Sequence, residues 1–173
     1  DNAPHRPQDR GFQDVLWHRC GGIGQASDYW GNDYFDDTYE RNGTFEKFEG
    51  YCTDVWFAES MRFIEANKDK PFFLYLATNA PHSPYRVDPE WEAPYTDLAT
   101  WKFGAAFYGM IANIDHNLGL LREHLASLGL AENTILIFMT DNGTTMAGAR
   151  FSETSEVIEG FNAGMRGKKG TIF

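Results

Sequence analysis

Two stretches carry strand-like apolar residues into groups able to do chemistry. Ile135-Leu136-Ile137-Phe138-Met139-Thr140 runs into Asp141-Asn142-Gly143, and Pro71-Phe72-Phe73-Leu74-Tyr75-Leu76-Ala77 runs through Thr78-Asn79-Ala80-Pro81 into His82. A carboxylate beside an amide oxygen offers the all-oxygen donors that a hard cation such as calcium or magnesium prefers. An imidazole at the end of a second strand suits proton transfer beside that cation. A third cluster, Gly167-Lys168-Lys169-Gly170-Thr171, adds ammonium groups on a glycine-rich segment. Each cluster alone has a plainer reading. Asp-Asn-Gly is a common turn because those residues tolerate left-handed backbone, a loop histidine can be satisfied by water, and a Lys-Lys pair is by default solvated.

The elements that must position these groups follow from period and punctuation. Thr53 and Asp54 can cap a helix, and Val55, Ala58 and Met61 follow at helical spacing until Pro71 stops it. The apolar run 72–77 reads as a strand buried on both faces. Phe103, Phe107, Met110, Ile114, Leu118, Leu121, Leu125 and Leu128 step by three or four and form one face of a long helix, with Gly129 where a left-handed terminal residue belongs. A strand over 135–140 completes the order helix, strand, long loop, helix, strand. That order predicts an α/β fold: part of a mostly parallel sheet flanked by helices, in which ligands bind beyond the carboxyl ends of the strands. Residues 1–50 show no sustained period and read as an irregular, aromatic-rich loop region; residues 143–167 read as another loop. The glycines at 21, 22 and 24 are not a dinucleotide fingerprint, because no strand leads into them. Trp30, Tyr85, Trp91 and Trp101 serve loop packing in preference to a substrate platform.

The bulk numbers bound the partners. The chain has 173 residues, 42% hydrophobic and 23% charged, a globular balance. A net charge of -10 argues against nucleic acid and anionic membranes as partners. It leaves an anionic substrate open, since a bound cation and a few lysines invert the local potential. No run of about 20 apolar residues predicts a membrane span. Cys20 and Cys52 permit one disulfide without demanding it. A first residue that is Asp, and a polar start with no apolar signal segment, predict a piece of a longer protein.

Pro81-His82-Ser83-Pro84, Asp141-Asn142-Gly143 and Arg166-Gly167-Lys168-Lys169-Gly170-Thr171, in this order and separation, together with Gly50-Tyr51-Cys52-Thr53-Asp54, resemble the arylsulfatase family of the alkaline phosphatase superfamily. The resemblance implies an incomplete alkaline-phosphatase-like fold, with residues 1–173 as the central part of an N-terminal catalytic domain. It implies Asp141 and Asn142 as ligands of one divalent cation, calcium, with the remaining ligands elsewhere. It gives His82 the leaving group and Lys169 a sulfate oxygen; Lys169 is preferred to Lys168 because the family's lysine directly precedes Gly-Thr. The nucleophile would be a formylglycine made from C-x-P-S-R or its serine form. Neither Cys20, followed by Gly-Gly-Ile-Gly, nor Cys52, followed by Thr-Asp-Val-Trp, fits that motif, so it is expected upstream and the piece alone is expected to be inactive. The implied activity is hydrolysis of a sulfated small molecule or glycan, by a periplasmic or secreted protein. A phosphodiesterase or phosphonate monoester hydrolase of the same superfamily, or a non-catalytic carbohydrate-binding piece, are the alternatives.

Overall fold

Asn42 and Gly43 adopt positive φ angles of 49° and 95°, the pair a two-residue hairpin needs for its twist to match the flanking strands. They join β2 (Thr38–Arg41) to β3 (Thr44–Lys47), and β1 (Leu16–Trp17) adds an antiparallel edge. The computed structural model describes residues 3–18, 22–24, 33–99, 101–145, 149–154, 156–165 and 167–171, which form two compact units, 1–84 and 85–173. Cys20 and Trp30 lie outside the described residues. The region expected to be irregular therefore holds a three-stranded sheet; strands of two to four residues are too short to print a period on the sequence.

Helix α1 (Cys52–Asn67) follows. Its N-cap is Tyr51, two and three residues ahead of the expected Thr53 and Asp54, and makes no side-chain cap. The Tyr34 carbonyl instead accepts the Cys52 amide at 2.8 Å, satisfying one of the orphan donors of the first turn. α1 lays Trp56 against Tyr39 of the hairpin, ring centroids 4.2 Å apart, and Tyr51 stacks on Tyr34 at 5.9 Å. Aromatic rings thus fill this small core, each covering a large area with little rotamer freedom to lose. Cys52 is a free, buried thiol, and burial pushes its pKa up to about 12.

In the second unit, α2 (Pro89–Glu92) crosses α3 (Gly104–Ser127) at Gly109, where a Cβ would stand 2.8 Å from the Trp91 carbonyl oxygen. The expected stripe buries Phe107, Met110, Ile114, Leu121 and Leu125. The helix ends as its sequence predicts. Gly129, at φ 72°, donates to the Ala126 carbonyl, and Leu130 donates to Leu125, a Schellman arrangement. β4 (Ala149–Phe151) and β5 (Val157–Gly160) form a short antiparallel hairpin.

The two apolar runs expected as strands enter no ladder among the described residues. Residues 72, 74 and 76 are half-buried while 73, 75 and 77 are exposed, the alternation of an extended segment. The run 135–139 is exposed throughout, Ile135 at 90%. A strand buried on both faces needs a neighbour on each edge, and these runs have none among the described residues. No helix there is long and apolar enough to cross a membrane.

Candidate functional site

His82 sits in a loop held by its own peptide groups. Its amide donates to the Asn79 carbonyl at 3.0 Å, and its carbonyl accepts the Tyr34 hydroxyl at 2.7 Å. The ring Nδ1 lies 2.9 Å from the Ser83 carbonyl oxygen. A carbonyl can only accept, so Nδ1 carries the proton there and Nε2 is the nitrogen able to pass one. The Asn79 side chain reaches back across the sequence, accepting the Ile23 amide at 3.1 Å and donating to the Tyr34 hydroxyl. Beside it, a Cβ on Gly24 would overlap the Pro84 ring. This close approach is what the glycine is for. His82 itself is exposed.

In the second unit the structure brings two of the singled-out motifs together. The Lys169 amide donates to the Thr144 carbonyl at 2.9 Å. Gly143 lies so near that a Cβ there would be 3.1 Å from the Lys168 carbonyl carbon. Asp141 and Asn142 are exposed and stand two to three residues from that bond. The Lys-Lys-Gly-Thr turn is closed by Thr171, whose hydroxyl accepts the Lys168 amide at 3.0 Å and donates to the Lys168 carbonyl at 2.7 Å. The two lysines part ways here. Lys168 holds its ammonium over the Phe151 ring, 5.4 Å from the centroid, a cation–π contact, whereas Lys169 is exposed. His82 belongs to the first unit and the other three residues to the second.

The donor set suits a hard cation as far as it goes. The Asn142 amide nitrogen donates to the Gly143 carbonyl at 3.3 Å, which leaves its oxygen as the atom to offer a metal beside the Asp141 carboxylate. Among the described residues no group of three or more His, Cys, Asp or Glu side chains that could hold a metal ion is found. Cys52 is excluded as a nucleophile: buried, with its pKa pushed up to about 12, it is a thiol at neutral pH.

Sequence reasoning passed over Tyr34, Asn79 and Thr171 as site residues. Asn79 stood three positions before His82, in a segment already singled out. Tyr34 is 48 residues away from the carbonyl it holds, in a region without period, and nothing local signals that reach.

A family model described as Sulfatase matches residues 7–166. The arylsulfatase of Klebsiella aerogenes is 27% identical over 209 aligned residues, covering 90% of this chain and 45% of that protein. Human N-acetylgalactosamine-6-sulfatase is 33% identical over 103 residues, covering 58% of this chain and 18% of that protein. Among solved structures, Ps i-CgsB superposes with a TM-score of 0.74 at 29% identity, over 85% of this chain and 36% of that one. It has also been solved in complex with k-i-k-neocarrahexaose. The putative sulfatase yidJ from Bacteroides fragilis, at 22% identity and a TM-score of 0.59, shows the fold alone, over 69% of this chain and 33% of that one. The chain therefore spans less than half the length of these relatives, and the expected α/β, alkaline-phosphatase-like fold is present in part. With the match running through both units and across the His82 and Asp141-Asn142-Gly143 motifs, ending just before the lysine turn 167–171, the chain belongs to the sulfatase family.

Proposed function

We propose that these residues are the central part of the catalytic domain of a longer protein that hydrolyses sulfate esters. In this reading Asp141 and Asn142 hold a calcium ion, Lys169 holds a sulfate oxygen, and His82 protonates the departing oxygen. The observation that supports it best is the Lys169–Thr144 peptide hydrogen bond of 2.9 Å, which joins the acidic loop to the lysine turn. A carboxylate, an amide oxygen and an ammonium on adjoining loops suit the tetrahedral, singly charged group of a sulfate ester, bound partly through a cation and partly through a direct charge. When bound, the cation supplies positive charge against the sulfate oxygens. Lys169 offsets charge that builds on the leaving oxygen, and it does so as an exposed point charge on a turn fixed by Thr171. His82, with Nδ1 committed to the Ser83 carbonyl, presents Nε2 for the proton. The nucleophile the family resemblance implies is not among these residues: neither cysteine lies in a C-x-P-S-R stretch.

The substrate class follows from the relatives only as far as a sulfate ester on a small molecule or glycan. The test is made in the full-length protein, with sulfate release from an aryl sulfate and a sulfated oligosaccharide measured beside phosphate-diester cleavage. His82→Ala and Lys169→Ala are expected each to lower kcat for sulfate release by roughly 10²-fold or more, the usual scale for a proton-transfer group. Faster turnover of the phosphodiester, or variants as active as the parent, would overturn the reading.

A further inference from the structure

The Tyr34 hydroxyl is a junction with both of its roles filled. It donates to the His82 carbonyl at 2.7 Å and accepts from the Asn79 amide nitrogen at 2.5 Å. Its side chain is fully buried, at 0% exposure, with its ring stacked on Tyr51. Asn79 in turn is fastened on both sides to Ile23: its oxygen accepts the Ile23 amide at 3.1 Å and its nitrogen donates to the Ile23 carbonyl at 3.4 Å. The His82 amide closes the circle on the Asn79 carbonyl at 3.0 Å. Tyr34, 48 residues from His82, thus bonds the His82 backbone directly, and Ile23 holds it one step removed through Asn79. A fold that needed only to bury Tyr34 could do so with a phenylalanine. A buried hydroxyl must be paired to be tolerated, and here its donated proton goes to the peptide carrying the imidazole.

We infer that Tyr34 and Asn79 are positioning residues that set where the His82 ring is presented, acting through its peptide group without touching substrate. The inference rests on the role proposed for His82. Tyr34→Phe keeps the ring and its stacking on Tyr51 but removes the donor, so the His82 carbonyl and the Asn79 nitrogen each lose a partner. The loop then loses one of the contacts that fix it, the His82 amide bond to Asn79 remaining, and small misplacements of a reacting group are costly in rate.

The experiment is a cycle of variants in the full-length protein: Tyr34→Phe, His82→Ala and both together, assayed for kcat and KM on a sulfate ester. The His82 ring resonances of the parent and of Tyr34→Phe are recorded by NMR in parallel. Tyr34→Phe is expected to lower kcat between about tenfold and a hundredfold with KM within about twofold, and to shift or broaden the ring signals. In the His82→Ala background it is expected to have no further effect on kcat. An equal loss in both backgrounds would mean a structural role, and the inference falls; unchanged ring signals would sink it as well. A silent His82→Ala with shifted ring signals would instead remove the role proposed for His82 and leave the positioning intact.

Discussion

Gly143 carries a hydrogen where any other residue would press on the neighbouring loop. A Cβ there would stand 3.1 Å from the Lys168 carbonyl carbon, 3.2 Å from its Cα and 3.4 Å from the Lys169 nitrogen. All three are backbone atoms, which cannot swing aside as a flexible side chain does. Gly143→Ala is therefore expected to push the acidic loop and the lysine turn apart by a few tenths of an ångström and stretch the Lys169–Thr144 bond. In the full-length protein this should weaken divalent-cation binding and lower kcat by about tenfold, on the scale that small misplacements cost, with little change in far-ultraviolet circular dichroism. Unchanged cation affinity and rate would show that the two loops need not touch. The sequence offered part of this. Asp141-Asn142-Gly143 reads in sequence as a turn or a ligand pair; that Gly143 makes room for Lys168 depends on a fold partner 25 positions on, which no local pattern encodes.

At the scale of elements, the β2–β3 hairpin is fastened to α1 by charge as well as by rings. Arg41 bonds Glu46 at 3.0 Å and Glu59 at 2.7 Å, and Glu59 also bonds Arg62 at 2.6 Å. Burial of Glu59 pushes its carboxyl up, but the hydrogen bonds and charges of Arg62 and Arg41 outweigh it and hold it below the usual carboxylate range. With the folded value below the unfolded one, this stabilisation is fully present above about pH 4.3, the ordinary glutamate value. It is lost as the pH falls through the folded value. Glu59→Gln is expected to destabilise the protein by on the order of 1 kcal/mol at pH 7, partly screened as the group is partly exposed, with the difference shrinking below about pH 4. Urea unfolding at both pH values checks it, and an undiminished difference in acid would contradict the account. Helices were the most legible elements. The predicted helix 103–128 is found at Gly104–Ser127 with its glycine terminator in place, because the 3.6-residue period persists over many turns. The hairpin at Asn42-Gly43 leaves no comparable period, since each of its strands has only four residues.

At the scale of the whole molecule, apolar surface stands open. Phe73 and Tyr75 are 72% and 71% exposed, and Ile137 and Met139 are 75% and 78% exposed. An open cleft of about 550 Å³ lies along the first of these runs, lined among others by Val15, Trp17, Trp56 and Phe63. Monomeric proteins rarely leave contiguous apolar patches of this kind uncovered. Prepared as 173 residues alone, the chain is expected to bind a hydrophobic dye strongly and to self-associate. Negligible dye fluorescence from a monomer in analytical ultracentrifugation would contradict this. The sequence carried the same warning in its two uninterrupted apolar runs; what it could not show was that neither would find a ladder partner among the described residues. The anchoring of His82 and Lys169 has a different bearing. Both are gripped through main-chain atoms, which every residue type but proline shares. Scaffold and reactive group are thereby separable: an evolving or engineered protein can exchange the imidazole or the ammonium for another headgroup, and the vacated spot is still delivered to the same address.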